Sequence, residues 1–179
     1  SIKEFIKHIE KFNEHLNFAL LSKRKDVRLD IDTISAHLSY PWDWNAISQN
    51  KSCALTAEFV MEHKEFDWDW SALSSRNDCI FTAEFIKENK DKDWNWVILS
   101  KRKEIILNTD VLIALIAKDW DWNELIRRMD IKFTPDLLRL IIDKDLNWKA
   151  SSQRDDFYPT MEVLNILKDK SIDWAQISR

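Results

Sequence analysis

The chain has 179 residues, of which 45% are hydrophobic and 32% charged, and its net charge is -4. It contains no glycine, yet phosphate-cradling loops, dinucleotide-binding turns and nucleophile elbows depend on the backbone freedom of that residue. The composition therefore argues against enzymes built on such loops, and it favours helices over tight hairpins.

Membrane insertion and secretion also have little support in the sequence. The longest apolar run, 111–117, falls well short of the roughly 20 residues that a membrane-spanning helix needs. The start of the chain has no signal-peptide pattern, and only two cysteines are present, which suits a reducing compartment. We expect a cytoplasmic protein without a membrane span.

The tryptophans reveal an internal repeat. Trp42, Trp68, Trp94 and Trp120 are spaced 26 residues apart, and the other six of the ten tryptophans lie two residues after the start of the second to seventh units. The chain divides into a partial N-terminal helix at 1–15, six repeats over 16–171 and a truncated seventh at 172–179. The six repeats begin at Leu16, Trp42, Trp68, Trp94, Trp120 and Leu146. A period of this length is typical of stacked helical units.

Each repeat begins with the signal for a short helix, helix A. Position 1 is the first residue of the repeat, and position 2 is always Asp or Asn, the preferred N-cap residues. Apolar side chains at positions 1 and 6 have the spacing of a hydrophobic staple around that cap. Helix A is predicted at about positions 3 to 9. The position 2 residues are Asn17, Asp43, Asp69, Asn95, Asp121, Asn147 and Asp173.

A second helix start follows in every repeat. Position 15 is again a capping residue, apolar residues flank it at positions 14 and 19, and an acid at position 17 suits the first turn of a helix. Helix B is predicted at about positions 16 to 24. The sequence thus predicts an all-α fold, an α-solenoid of stacked two-helix repeats. The position 15 caps are Asp30, Thr56, Thr82, Asn108, Thr134 and Thr160.

The text W-D-W-N-A-I-S at 42–48 recurs as W-D-W-S-A-L-S at 68–74 and W-N-W-V-I-L-S at 94–100. This pattern resembles the tryptophan-rich W-(D/N)-W…(L/I)-S tandem repeats of large DNA viruses, although the connector after Ser74 is longer here. The resemblance covers nearly the whole chain. It implies an α-helical repeat scaffold and supplies no activity.

Several residue types could suggest chemistry, and each has a structural explanation. The tryptophans could stack on bases, but the staple spacing indicates an inter-repeat core. Cys53 and Cys79 share position 12 with aliphatic residues, which indicates small buried side chains. His37 and His63 lie at position 22, away from the cysteines in the repeat. We expect no metal, no cofactor, no small-molecule substrate and no enzymatic activity.

Position 9 forms a column of mostly basic residues, to which positions 8 and 10 add further cations. A regular row of guanidinium groups could follow a phosphate backbone, so nucleic-acid binding is one hypothesis. The other is that each arginine caps helix A or pairs with an acid at position 11 or 17. The candidate phosphate-binding residues are Arg24, Arg76, Arg102, Lys103, Arg127, Arg128 and Arg154.

Helix B becomes more apolar along the chain. Its positions 20, 21 and 23 are mostly charged in repeats 2 and 3 but largely aliphatic in repeats 4 to 6, beyond the stripe that stacking needs. An exposed apolar patch usually marks a partner surface. The alternative is that a twist of the array or an adjoining segment of the parent chain covers these residues. The preferred function is therefore a non-catalytic scaffold that binds another protein or another domain of a longer parent chain. The candidate contact residues are Ile113, Ile116, Leu140, Ile142 and Ile166.

Overall fold

A computed structural model describes residues 4, 6, 7, 17–154, 160–173 and 175. These residues form an all-α fold of the solenoid class, in which two-helix repeats stack on one another. Within the described ranges no β-strand forms, and one isolated parallel bridge joins Leu29 to Cys53. The predicted helix at 1–15 and seventh repeat at 172–179 lie largely outside the described residues.

Twelve helices of four to seven residues are present in the described part of the chain, two for each repeat. We number them α1 to α12, so that odd numbers are helix A and even numbers are helix B. The helix A segments are α1 (Phe18–Lys23), α3 (Trp44–Gln49), α5 (Trp70–Ser74), α7 (Trp96–Lys101), α9 (Trp122–Leu125) and α11 (Trp148–Ser151). The helix B segments are α2 (Ile31–Ser35), α4 (Ala57–Glu62), α6 (Ala83–Glu88), α8 (Thr109–Ala114), α10 (Pro135–Ile141) and α12 (Met161–Leu167).

Capping side chains set the starts of the helices. The Thr56 side chain accepts a hydrogen bond from the Phe59 amide at 3.2 Å, and the position 15 residues of the other five repeats make the equivalent bond. At position 2, Asp69 accepts from the Ala72 amide at 2.8 Å. Asn147 is an exception, because its side chain makes no capping bond. The predicted helix starts are otherwise confirmed at the described caps.

The predicted end of helix B was wrong. Helix B ends at positions 20 to 22, whereas the prediction placed its end at about position 24. The carbonyl group at position 22 is taken by groups beyond the helix. The His63 carbonyl accepts a hydrogen bond from the Phe66 amide at 3.0 Å and another from the Trp68 indole at 2.8 Å. His37 and Leu115 accept the same pair of bonds. The position 1 tryptophan therefore caps the preceding helix B while it staples the next helix A.

The tryptophans form the inter-repeat core. The four at position 1 are 4% to 6% exposed, and position 3 is buried in Trp70, Trp96, Trp122 and Trp148 and partly buried in Trp44. Trp174 lies outside the described residues. Three position 3 indoles meet the next position 1 indole edge to face: Trp44 with Trp68, Trp70 with Trp94 at 4.8 Å, and Trp96 with Trp120. This burial supports the core interpretation over a base-stacking platform.

The residue at position 25 covers the open face of the position 3 ring. Phe66 stacks on Trp44 with ring centroids 4.4 Å apart. In later repeats a lysine takes this place, as Lys92 does over Trp70 at 5.6 Å. The same lysine contact recurs at Trp96 and Trp122. A cation can replace an aromatic ring here because the indole face is electron-rich.

Contacts divide the chain into two compact units. Unit one comprises Ser1–Phe81 and Asp91–Asn95, and unit two comprises Thr82–Lys90 and Trp96–Arg179. In unit one, α3 packs between α1 and α5. In unit two, α7 packs on α9, and α6, α8, α10 and α12 pack in succession. Equivalent helices of successive repeats are thus neighbours within each unit.

Replacing Thr82 by Ala should lower the free energy of unfolding by about 1 kcal/mol, because the Phe85 amide loses the acceptor that caps α6. Urea unfolding monitored by circular dichroism measures the change. Thr82→Ser keeps the hydroxyl acceptor and should stay near the wild type. Equal stability of the Ala and Ser variants would contradict the capping role.

Buried inter-repeat network and candidate interaction surface

In repeats 1 to 4, a serine at position 7 links helix A to the N-cap residue of the next repeat. The Ser48 hydroxyl donates to the Trp44 carbonyl at 2.8 Å and accepts from the Asp69 amide at 3.1 Å. Ser22, Ser74 and Ser100 make the same two bonds. The serine is therefore a buried relay that places the N-cap residue of the following repeat. This explains the final serine of the recurrent motif, a role that sequence reasoning missed.

Repeat 5 replaces the relay serine with Ile126. The amide of Asn147, which would have donated to that serine, donates instead to the Asn123 side-chain oxygen at 2.8 Å. Asn123 lies at position 4 of the same repeat. The amide at position 2 is thus satisfied even where the serine is absent.

Arginine at position 9 ties repeats 3, 5 and 6 to the repeat before each of them. The Arg76 guanidinium is buried, and its two terminal nitrogens donate to four backbone carbonyls of repeat 2. These carbonyl groups lie at the end of α3 and in the connector that follows it. Regular helical bonding stops there, so the arginine supplies donors to backbone groups that burial would otherwise leave under-satisfied. The four acceptors belong to Ile47, Ser48, Asn50 and Cys53.

Other members of the position 9 column repeat this arrangement. Arg128 donates to the carbonyls of Ser100, Arg102 and Ile105. Arg154 donates to the carbonyls of Ile126 and Ile131. In repeat 2 the shorter Asn50 reaches two of the equivalent groups, the carbonyls of Ser22 and Arg24, at 2.9 and 3.0 Å. The column is therefore mainly an internal framework.

An acid at position 11 accompanies the buried arginine. Asp78 accepts from Arg76 at 2.6 and 2.8 Å and from the Leu55 amide of the preceding repeat at 3.2 Å. Burial alone would raise the pKa of Asp78, but the bonds and charge of Arg76 and the Leu55 amide outweigh it and lower that pKa. Arg128 lowers the pKa of Asp130 against burial in the same way. The arginine thus donates to backbone carbonyls of the preceding repeat, while its paired acid accepts from a backbone amide of that repeat.

This burial corrects the proposed row of phosphate contacts. Arg76, Arg102, Arg128 and Arg154 are all buried, so their guanidinium groups do not line an open surface. Arg24, Lys103 and Arg127 are exposed. Of these, Arg24 pairs with Asp26, and Arg127 pairs with Glu124 at 3.1 Å. The seven candidates therefore do not form one continuous phosphate-binding row.

The predicted partner residues lie on, or just after, the successive helix B segments α8, α10 and α12 of unit two. Ile113 is on α8, Leu140 is on α10 and Ile166 is on α12, while Ile116 and Ile142 follow the ends of α8 and α10. Leu140 is 49% exposed, and the other four are partly exposed. Met161, at the start of α12, is 72% exposed. The structure thus gathers the five candidates on neighbouring elements and adds Met161.

The sequence did not predict that two further apolar side chains, in connectors, are exposed. Ile106 is 73% exposed and Met129 is 51% exposed, and both belong to connectors of unit two. No periodic signal identifies them, because hydrophobic periodicity applies to helices and the connectors are irregular. They do not share an element with the predicted partner residues.

The two cysteines are fully buried and are not disulfide-bonded, which confirms their prediction as small core residues. Burial raises the pKa of the Cys53 thiol to about 11, although the charge of Arg76 opposes the shift. The thiol is therefore a poor nucleophile at neutral pH. Within the described residues, no group of three His, Cys, Asp or Glu side chains could hold a metal ion.

No protein-family model matches the chain, and no curated protein or solved structure is detectably similar to it. None of the helices in the described ranges is long and apolar enough to cross a membrane.

Replacing Arg128 by Gln should lower the free energy of unfolding by about 3 kcal/mol or more, because it leaves connector carbonyls and Asp130 without their cation. The neighbouring substitution Arg127→Gln is the matched control. Arg127 is exposed and pairs at the surface, so its loss should cost only about 0 to 1 kcal/mol. Urea unfolding of both variants provides the comparison, and equal effects would contradict the structural role of Arg128.

Acid should destabilise the protein partly through Asp130. Its pKa in the folded state lies below the ordinary value of 3.8, so its contribution to stability is present above that pH and is lost as the pH falls through the folded pKa. The loss of unfolding free energy between about pH 5 and pH 2 should therefore be smaller in Asp130→Asn. Urea unfolding across this range measures it. A wild-type slope in Asp130→Asn would refute the assignment.

Proposed function

We propose that this chain is a non-catalytic α-helical repeat scaffold that binds another protein, or another domain of a longer parent chain, through helix B of repeats 4 to 6. The recurrent polar residues support the non-catalytic part of the proposal. Asp, Asn and Thr at positions 2 and 15 act as caps, while Ser at position 7 and Arg at position 9 join neighbouring repeats. Structural roles thus account for the side chains that recur most regularly.

One comparison within the chain carries the binding proposal. Position 21 of helix B is Glu62 in repeat 2 and Glu88 in repeat 3, but Leu140 in repeat 5 and Ile166 in repeat 6. Since the charged residues occupy the same repeat position, stacking does not require an apolar side chain there. Exposed Leu140 and partly exposed Ile166 therefore need another explanation, and partner binding provides one.

The proposal extends to the setting of the protein. We place it in the cytoplasm, because two buried cysteines without a disulfide suit a reducing compartment. We further propose that it acts without a membrane, cofactor or small-molecule substrate. We also propose that the repeats are related to the tryptophan-rich viral repeats that they resemble. That relation would agree with a scaffold role and would not assign an activity.

Nucleic-acid binding is the second candidate, and one feature favours it. In unit one, Lys23 and Lys25 line an open, largely polar cleft of about 440 Å³, together with the side chains of Asn45 and Gln49. Lys23 is paired with Asp43 at 3.0 Å, which reduces the positive charge available to a phosphate. With four arginines of the column buried, this candidate ranks below protein binding.

A photo-crosslinking amino acid at position 140 tests the scaffold proposal. The matched control carries it at position 88, the same repeat position in a charged repeat. In a lysate of the native cells, position 140 should yield a discrete protein adduct that position 88 does not. Excess wild-type chain should compete for this adduct, and Leu140→Glu should compete at least about tenfold less well, the effect of about 1.4 kcal/mol. The same adduct from both positions would contradict the proposal.

A labelled single-stranded oligonucleotide tests the second candidate. Each phosphate contact would contribute about -0.7 to the slope of log affinity against log salt. We expect no such salt-sensitive binding that depends on exposed Lys23 and Lys25 of the cleft. Micromolar binding that is lost in Lys23→Gln with Lys25→Gln would instead favour a nucleic-acid binder.

A further inference from the structure

Helix B of unit two presents two parallel rows of side chains. Positions 17 and 21 are one helical turn apart and lie on the same face of a helix. Position 17 gives an acidic row, Asp110, Asp136 and Glu162, and all three residues are exposed. Position 21 gives an apolar row, Ala114, Leu140 and Ile166, of which the first two are exposed and the third is partly exposed.

Contacts between repeats support this arrangement in rows. Helices α8, α10 and α12 pack in succession, and Arg139 on α10 pairs with Asp136 on its own helix and with Glu162 on α12. The side chains of Asp136 and Glu162 remain 82% and 56% exposed. One arginine among three carboxylates leaves the acidic row with a net negative charge.

We infer that these two rows bind an amphipathic helix that carries a basic flank. Its apolar stripe would pack on Ala114, Leu140 and Ile166, and its lysine or arginine side chains would meet Asp110, Asp136 and Glu162. The inference deepens the proposed function, on which it rests, by naming the chemistry of the partner. Charge complementarity selects a basic partner over an acidic one.

The pitch of the rows selects a helix over an extended peptide. Packed helices are about 8 to 10 Å apart, and residues seven apart on an α-helix lie on one face at about 10.5 Å. A strand covers the same distance in about three residues, but its side chains at that spacing point to opposite faces. A helix can thus present an apolar residue to each member of the apolar row.

The apolar row has a defined end within unit two. Position 21 of repeat 3, on α6, is the charged Glu88, which is exposed. If the apolar stripe of the partner helix extended onto α6, it would meet the Glu88 carboxylate. The surface therefore fits a partner helix with three apolar contacts, one for each member of the apolar row. At seven residues between contacts, such a helix has about 15 to 18 residues and is roughly 22 to 27 Å long.

A designed peptide tests the inference directly. The probe is a fluorescein-labelled helix of about 18 residues with leucines along one face and lysines beside them, and fluorescence anisotropy reports its binding. Two control peptides have glutamate in place of lysine, or the same composition in scrambled order. We expect the designed helix to bind at least about tenfold more tightly than either control, because only it matches both rows.

Variants of the protein locate the binding surface. Leu140→Ser should weaken binding at least about fivefold, whereas Leu20→Ser, at another exposed helical leucine, should leave it unchanged. Asp136→Asn with Glu162→Gln should also weaken binding and reduce its salt dependence, whereas Asp143→Asn with Asp145→Asn, at two other exposed acids, should not. Thermal melts check that each variant remains folded.

Three results would overturn the inference: no binding of the designed helix, equal binding of the scrambled peptide, or equal effects of the test and control variants. The scaffold proposal fails by a different result. If position 140 still crosslinks to a specific partner while the designed helix does not bind, the scaffold proposal stands and the basic helical partner is rejected.

Discussion

The rest of the structure depends on how the connector backbone is satisfied without strands or glycine turns. The end of helix A and the connector after it carry carbonyl groups that stacking then buries, and an unpaired buried carbonyl is costly. The position 9 arginine resolves this conflict, because one planar guanidinium group carries five donors. Arg76 uses them on four carbonyls and on Asp78. Repeats whose own helices have only four to seven residues are thereby fastened to their neighbours.

A buried cation needs an anion nearby, so position 9 constrains position 11. Where position 9 is arginine, Asp78, Glu104 and Asp130 provide the counter-charge. Repeat 2 has neither charge: Asn50 binds two carbonyls, and the Ser52 hydroxyl donates to the Lys25 carbonyl at 2.8 Å. An uncharged pair thus replaces an ionic pair at the same two positions, so a change at one position alone would leave a buried polar group unmatched.

The sequence predicted what is local and missed what joins one repeat to the next. Caps and staples act over three to five residues, so the helix starts were visible in single repeats, as at Thr56 and Asp69. The relay from Ser48 to Asp69 spans 21 residues, and Arg76 reaches back by 23 to 29. Periodicity shows that such residues recur but not what they contact. Helix B was drawn too long because the Trp68 indole, outside the helix, takes a carbonyl near its end.

The candidate surface was predictable for a related reason. Stacking fixes the inward positions of helix B, such as Leu112 and Leu138, which are buried, while outward positions vary freely in charge. Position 21 is outward-facing and holds Glu88 in repeat 3 but Leu140 in repeat 5. Because the fold accepts either residue type there, the apolar residue points to a role in binding. Its exposure still required coordinates, since an apolar arc alone does not say whether a neighbour covers it. Stacked repeats with variable outward positions can present different chemistry in different repeats while the buried network stays the same.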